Sequence, residues 1–300
     1  MNYDDNYLKN LLPNRPENSH KGTFGHVLNV AGSEFYSGAA YFSSVSALKV
    51  GCGKATLASE KGVLASVSAL SPDIILLPIK TLKKTDLNEF QAISIGCGLS
   101  QSKQAVKNFK NVLKILSKSD VPVVIDADGL NILSSFKDLK SEFKKSSRFS
   151  LAPCGRGQGE GLFQLGNLIL TPHPKEMARL MGVKVETILA QPEFWVRECC
   201  KKFNCTTVLK LHKTIVVDNK GHFYENKTGN SALAHGGSGD VLTGMITGFL
   251  AQGLSCFEAA CLGVFLHGVA GELASKDLTE YSTLASDLIN YIPQAIKTIL

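Results

Sequence analysis

Short apolar runs alternate with longer helical patterns along most of this chain, and this alternation restricts the possible fold more than any other feature. His26–Val30 is typical of a buried strand, and a helix is predicted from Ser37, as its N-cap, to about Val50. Further short apolar runs predict strands at 55–58, 74–77, 92–95, 121–125 and 168–170. Runs of this length that are apolar on both faces are typical of buried parallel strands. The alternation therefore predicts an α/β sandwich with a mostly parallel sheet.

The remaining patterns complete this prediction. Helices are predicted at Lys103–Leu116, Pro174–Met181 and Pro192–Phe203, and again over 240–252, 257–275 and 283–300. Segments 208–210, 214–218 and 222–225 indicate an antiparallel edge. We find no internal repeat and no strong linker, so residues 1–300 are predicted to form one domain, with 1–19 as an N-terminal extension. Residues 137–161 are charged and rich in serine and glycine, and we predict a flexible insertion there.

Charge and cysteine usage exclude several classes of protein. The net charge is +6, but the lysines are scattered, which suits an anionic small molecule better than a nucleic acid. The polar, acidic start is unlike a signal peptide, and no uncharged apolar stretch is long enough to span a membrane. The eight cysteines form no C-x-x-C pair, so neither a disulfide framework nor a zinc site is indicated. We therefore expect a cytoplasmic protein that binds neither nucleic acid nor membrane.

A glycine turn, Gly236-Gly237-Ser238-Gly239-Asp240, runs directly into an apolar helical pattern. Glycines allow a backbone to curl closely around a ligand, and the N–H groups that begin a helix favour an anion such as phosphate. Asp240 falls in the first turn, where its carboxylate can remove a proton from a hydroxyl that is about to be phosphorylated. The alternative is a turn in which Asp240 only compensates the helix dipole.

Other polar clusters follow the predicted strands, where open α/β sheets bind their ligands. His173 stands between two prolines at the end of a strand and can donate to a ligand, or it can be a solvated loop residue. Asp126 and Asp128 can bind Mg²⁺ through water or cap the following helix. The run 210–214 offers cations to a nucleotide, or forms a simple charged hairpin.

Together these segments resemble the ADP/ATP-dependent NAD(P)H-hydrate dehydratases of the ribokinase-like superfamily. The resemblance rests on nearly the whole chain in the expected order, and its quoted motifs include Thr171-Pro172-His173-Pro174-Lys175-Glu176 and the glycine turn. It implies a ribokinase-like three-layer α/β/α sandwich. It also implies nucleotide-dependent dehydration of (6S)-NADHX or NADPHX to NADH or NADPH, in which a ring hydroxyl is phosphorylated and the phosphate then leaves.

The resemblance implies specific roles as well. Asp240 acts as general base and contacts the substrate, together with Ala39, Gly98 and His173. The anion hole consists of Gly237, Ser238 and Gly239. The AMP portion of the ADP or ATP phosphate donor is bound by the following residues: Lys210, Leu211, His212, Lys213, Thr214 and Gly239. Mg²⁺ is expected to arrive with the nucleotide phosphates.

Some features depart from the family pattern. Leu211 occupies a position where the family usually has glycine, and the lead-in to the glycine turn, with His235, is unusual. We expect the chain to lack the epimerase domain that many relatives carry, and the resemblance then implies a separate NAD(P)HX epimerase as functional partner. Relatives assemble as homo-oligomers, often tetramers. A kinase of the same superfamily and a nucleotide-binding protein without turnover remain alternatives.

Overall fold

A computed structural model of the chain describes residue 3 and residues 5–116, 119–136 and 167–300. The predicted insertion at 137–161 lies outside these ranges. The strands are β1 (His26–Val30), β2 (Lys54–Ser59), β3 (Ile75–Pro78), β4 (Ala92–Ile95), β5 (Val123–Ile125), β6 (Leu168–Leu170), β7 (Thr206–Leu209), β8 (Ile215–Val217) and β9 (Phe223–Glu225). The α-helices are α1 (Asp5–Lys9), α2 (Ser37–Lys49), α3 (Lys61–Leu70), α4 (Lys103–Leu116), α5 (Asp128–Ser135), α6 (Pro174–Met181), α7 (Val185–Ala190), α8 (Pro192–Phe203), α9 (Ser238–Ala251), α10 (Cys256–Leu278) and α11 (Ala285–Lys297).

These strands form one sheet in the order β3-β2-β1-β4-β5-β6-β7-β8-β9. The strands from β3 to β7 are all parallel, whereas β8 and β9 add in antiparallel orientation. The predicted mostly parallel sheet with an antiparallel edge is therefore confirmed. β2 and β3 lie on one side of β1, and the chain then continues with β4 on the other side of β1. The direction in which strands are added reverses here, so a topological switch point lies between β1 and β4.

Helices cover both faces of the sheet, which gives the three layers. Neighbouring residues of β1 point to opposite faces: Val27 packs in one core cluster and Leu28 in the other. The first cluster contains buried residues of α2, α9, α10 and α11, and the second contains those of α4, α5, α6 and α8. The buried strands need apolar residues on both faces for this reason.

Two predictions about the elements are wrong, and one of the two alternatives for Asp126 and Asp128 is excluded. Helix α2 begins at Ser37 itself, its N-cap is Tyr36, and no side chain caps it. The apolar run at 74–77 forms the edge strand β3, which is not buried, since Ile75 is 47% exposed. Neither Asp126 nor Asp128 caps α5, whose N-cap is Ala127. Helices α1, α3, α5 and α7 were not predicted, and they are short.

The helix that carries the glycine turn is fixed by close packing against α2. A Cβ on Gly244 of α9 would lie 2.2 Å from the carbonyl oxygen of Ser43. Only glycine allows this approach, which brings the two helix axes together and sets the position of the start of α9. Helix α10 is long and apolar enough to cross a membrane, but 78% of its most apolar window is buried in the core of the structure.

Candidate active site

The loops after β1 and β4 meet at the switch point. Ser33 donates from its hydroxyl to the carbonyl oxygen of Gly98 at 2.7 Å, and the N–H of Gly32 donates to the carbonyl of Cys97 at 2.8 Å. Gly98 has a φ of +62°, and a Cβ there would lie 2.8 Å from the Cβ of Ala39. The structure therefore places Ala39 next to Gly98. Both residues are predicted to bind the substrate.

The glycine turn ends at the N-terminus of α9. Gly237 is the N-cap with a φ of +93°, and a Cβ there would lie 2.7 Å from the ring of Phe42. The N–H of Ser238 donates to the carbonyl of His235 at 3.3 Å. The N–H groups of Gly239 and Asp240 fall in the first turn, where an α-helix has no carbonyl of its own to offer them. This helix start is consequently suited to an anion.

Asp240 is only partly exposed, and charged and polar groups surround its carboxylate. Burial raises the pKa of Asp240 to about 6, and the nearby carboxylate of Asp126 adds to this increase. A hydrogen bond from the Cys97 thiol and the positive charge of Lys210 act in the opposite direction. A carboxyl group with this pKa is mostly ionised at neutral pH and yet basic enough to accept a proton.

Lys210, at the end of β7, lies beside the same helix start. Its Nζ is 2.7 Å from Oδ1 of Asp126 and 4.0 Å from Oε2 of Glu176. A Cβ on Gly239 would lie 3.4 Å from this Nζ. Although desolvation lowers the pKa of Lys210, the carboxylates of Asp126 and Glu176 raise it more, so the net shift is upward. The ammonium group is thus held charged next to the predicted anion hole.

His173 has a structural role that the sequence did not indicate. It is the N-cap of α6, with Pro174 as the first helical residue, and its Nδ1 accepts from the N–H groups of Lys175 at 3.1 Å and Glu176 at 3.4 Å. Glu176 Oε2 accepts the N–H of His173 in return, which completes a capping box. Burial lowers the pKa of His173 to about 4, so the imidazole is neutral. Since Nδ1 accepts, its proton is on Nε2, 3.2 Å from Oε1 of Glu176.

A cavity of about 690 Å³ opens beside Lys210 and the start of α9. It is lined by seven of the predicted site residues: His173, Lys210, Leu211, His212, Thr214, Ser238 and Gly239. Lys213 is not in the lining, because its side chain is 62% exposed and lies 3.9 Å from Glu225. Volumes of this size are usual for small-molecule sites.

The two aspartates after β5 have different partners. Asp126 is 1% exposed, and its two carboxylate oxygens accept from Lys210 and from the Thr243 hydroxyl, each at 2.7 Å. Asp128 accepts the N–H of Ser100 at 2.8 Å and so ties two strand-end loops together. Within the described ranges, no group of three His, Cys, Asp or Glu side chains is arranged to hold a metal ion.

Sequence reasoning missed several side chains of this site. Thr243 and His267 lie within apolar helices, where an isolated polar residue was the only available signal. His267 is buried, and its Nε2 lies 3.0 Å from the carbonyl oxygen of Ser238, which it fixes. Burial lowers the pKa of His267 to about 4, so the neutral ring donates from Nε2 to this carbonyl. Cys97, in the loop after β4, was also missed, although its thiol forms a hydrogen bond with the Asp240 carboxylate.

Comparison with known proteins identifies the relatives of this chain. A family model described as NAD(P)H-hydrate dehydratase matches residues 27–155 and 161–294. An ADP-dependent (S)-NAD(P)H-hydrate dehydratase of Neisseria meningitidis serogroup B is 41% identical over 264 residues, which cover 87% of this chain and 81% of the relative. A bifunctional NAD(P)H-hydrate repair enzyme of Moorella thermoacetica is 32% identical, and the match covers 98% of this chain but only 53% of that enzyme.

Solved structures agree with the fold. The ADP/ATP-dependent NAD(P)H-hydrate dehydratase of Bacillus subtilis, co-crystallised with ATP and Mg²⁺, superposes with a TM-score of 0.82 at 30% identity, covering 99% of this chain and 98% of the other. A ribokinase-like superfamily protein of Enterococcus faecalis V583 has a TM-score of 0.81 at 24% identity, covering 99% and 95%. The predicted ribokinase-like sandwich is confirmed.

Proposed function

The chain belongs to the NAD(P)H-hydrate dehydratase family, and we propose that it uses ADP or ATP to dehydrate (6S)-NADHX and NADPHX to NADH and NADPH. One observation carries the proposal within the site: a partly buried carboxylate, Asp240, stands in the first turn of a helix whose start suits a phosphate. A base and an anion site are thereby adjacent, as transfer of a phosphoryl group to a hydroxyl requires.

In this reaction Asp240 accepts the proton of the ring hydroxyl while the hydroxyl oxygen attacks the terminal phosphorus of the nucleotide. The nucleotide leaves as AMP or ADP. Hydroxide is a poor leaving group, but phosphate departs readily when the lone pair of the ring nitrogen assists, and loss of a proton from the adjacent carbon restores the double bond. With a pKa of about 6, about nine tenths of Asp240 is ionised at pH 7 and ready to act.

The substrate and the nucleotide are proposed to occupy neighbouring places beside Asp240, with His173 in the lining of the nucleotide cavity. Ala39, Gly98 and His173 are proposed to contact the hydrated dinucleotide, and the contact between Ala39 and Gly98 at the switch point supports this assignment. The cavity beside Lys210 is proposed to hold the AMP portion of the donor. Its lining supports this, because Thr214, Asn226 and Thr228 offer hydrogen bonds while Leu211 and Val264 offer apolar surface.

The transferred phosphoryl group is proposed to lie between these two sites, against Gly237, Ser238 and Gly239. The first turn of α9 supplies N–H groups and the positive end of its dipole. Lys210 supplies a full positive charge next to Gly239. Preorganised groups of this kind stabilise the charge that develops in the transition state.

Mg²⁺ is proposed to reach this site with the phosphates of the nucleotide. The described residues hold no set of three metal ligands, and both oxygens of Asp126 already accept hydrogen bonds. Bound to the phosphates, Mg²⁺ supplies further neutralisation of their charge. The relative from Bacillus subtilis was crystallised with ATP and Mg²⁺ together, which supports this arrangement.

We also propose a cytoplasmic homo-oligomer, a tetramer by resemblance to its family, that functions together with an epimerase. The epimerase would convert the other epimer of each hydrate to the (6S) form. The name of the Moorella relative, a bifunctional repair enzyme of which this chain matches 53%, supports this partnership. Light scattering of the purified chain tests the oligomer, and turnover of a mixed-epimer NADHX preparation with and without added epimerase tests the partnership.

The decisive experiment follows the absorbance of reduced nicotinamide in an NADHX preparation with Mg²⁺ and either ADP or ATP. Recovery that requires a nucleotide supports the proposal and identifies the donor. Folded protein that produces no NADH with either nucleotide contradicts it. A screen of small alcohols for stable phosphorylated products then tests the superfamily-kinase alternative.

A further inference from the structure

The Asp126 carboxylate is held by residues that are distant from it in the sequence. Asp126 follows β5 directly, is 1% exposed, and is far from both of its partners in sequence: Lys210 is 84 residues away and Thr243 is 117 residues away. An ionised side chain is rarely enclosed to this extent unless it is paired, and here each carboxylate oxygen has a donor at 2.7 Å. The same carboxylate therefore joins the end of β7 to helix α9.

On helix α9, the residue that contacts Asp126 is Thr243. It is fully buried and lies four residues after Gly239, so it is on the same face of α9, one turn further along. Its hydroxyl donates to Oδ2 of Asp126, which fixes the carboxylate relative to the first turn of the helix. Oδ1 is then directed toward Lys210.

At the end of strand β7, the residue that contacts Asp126 is Lys210. Its backbone N–H donates to the carbonyl of Pro172 at 2.9 Å, which fixes the Cα, but its four-carbon side chain has many rotamers of its own. The charge-assisted contact with Asp126 selects one of them and places the ammonium group near Gly239. The side chain remains 21% exposed and lines the 690 Å³ cavity, so a phosphate can reach it.

We propose that Asp126 and Thr243 are positioning residues that hold the Lys210 ammonium at the start of α9, so that it meets the phosphate of the nucleotide. The inference rests on the proposed function, and it assigns Asp126 a role different from metal binding. The nucleotide binds to an ammonium group that is already in place. The Lys210 side chain therefore loses little conformational freedom on binding.

The test compares two threonines of the same helix. Thr243→Val removes the hydroxyl that binds Asp126 at nearly constant shape. Thr247→Val is the matched control, since Thr247 is also fully buried, and its hydroxyl donates only along the helix, to the carbonyl of Thr243 at 2.6 Å. Thr243→Ser keeps the hydroxyl. The Kd of ADP is measured by calorimetry for each protein, and KM and kcat are measured with NADHX.

We expect Thr243→Val to weaken ADP binding about tenfold, the order of magnitude of one lost hydrogen bond to a charged group. Thr247→Val and Thr243→Ser should remain within about twofold of the unmodified protein by the same reasoning. The KM for NADHX should change less than the KM for the nucleotide. Equal loss in Thr243→Val and Thr247→Val, or unchanged ADP binding in Thr243→Val, overturns the proposal.

Asp126→Asn provides a second test, because the ion pair is then lost while the shape is kept. We expect a larger loss of ADP affinity that added Mg²⁺ does not restore. Recovery at high Mg²⁺ would instead make Asp126 a metal ligand and overturn the proposal. Because ADP binding is measured without turnover, failure of the dehydratase function remains distinguishable: the unmodified protein would then bind ADP and produce no NADH.

Discussion

Asp240→Asn should make the protein more stable while it removes activity, and the structure gives the size of both effects. Burial raises the pKa of Asp240 from 3.8 to about 6. The protonated form is therefore favoured in the folded state, and this favourable contribution is complete below about pH 4 and is lost as the pH rises through about 6. Above pH 6 the folded protein contains a partly desolvated charge, which asparagine does not have.

The expected gain follows from the shift. About two pKa units correspond to about 3 kcal/mol, and because the group is partly exposed we expect about 1–3 kcal/mol at pH 8. For a chain of this length that is an increase in Tm of about 2–5 °C. At pH 4 the difference between the two proteins should nearly vanish. Glu17→Gln is the control, because Glu17 is an exposed carboxylate whose charge is already in water.

The kinetic effect has the opposite sign. Loss of a general base lowers kcat by about 10²–10⁴-fold. For the unmodified protein, kcat/KM should be about half its plateau value at pH 6 and about one tenth at pH 5, since only ionised Asp240 accepts the proton. Calorimetric unfolding at pH 4 and pH 8, with NADH formation across this range, measures both effects. Turnover near the unmodified value, or a Tm at pH 8 that does not rise above that of the unmodified protein, would refute the reasoning.

Three further outcomes are expected. Gly98→Ala should raise the KM for NADHX about tenfold or more with little change in the Kd of ADP, because a Cβ there lies 2.8 Å from that of Ala39 and φ is +62°; steady-state kinetics and calorimetry decide, and equal weakening of both ligands would contradict the assignment. His173→Ala should lower stability by about 1 kcal/mol through loss of the α6 cap; His173→Asn should restore the thermal stability but not the KM for NADHX, and recovery of both would exclude a substrate contact. EDTA should stop turnover, and Mg²⁺ should restore it, without changing the Tm of the nucleotide-free protein; a lower Tm in EDTA would indicate a resident metal.

Sequence patterns were sufficient to predict an element wherever the segment itself contains the residues that mark its two ends. Strands β1, β4 and β6 and helices α4, α6 and α8 have the predicted bounds, because apolar runs, prolines and helical periodicity mark their ends. The glycine turn is equally local: Gly237 adopts a positive φ and Asp240 falls in the first turn of α9. Several predicted site residues, such as Gly98, His173 and Lys210, do follow the carboxyl ends of parallel strands, but their roles come from the family resemblance and stay predictions.

Sequence patterns were not sufficient where the packing of other elements determines burial, a helix start or the position of a side chain. The run at 74–77 is apolar, but whether it is buried depends on its place at the edge of the sheet, which the strand order determines. Ser37 is a favourable cap residue, but the helix starts there rather than after it. The nucleotide-binding role of Lys213, which the family resemblance implies, stays a prediction, and the sequence did not indicate that its side chain lies outside the lining of the cavity and 3.9 Å from Glu225.

The sequence by itself determined the fold class and the segment that carries Asp240, because both depend on short-range spacing, and it determined the family, because the family motifs follow one another in order along nearly the whole chain. Only the tertiary structure decided the partners of Asp126, the capping role of His173 and the contact of His267 with Ser238. These contacts join residues that are far apart in the chain or depend on the direction of one side chain. Their physical basis is the order of the strands in the sheet, which brings the ends of β5, β6 and β7 to one edge and places the start of α9 against them.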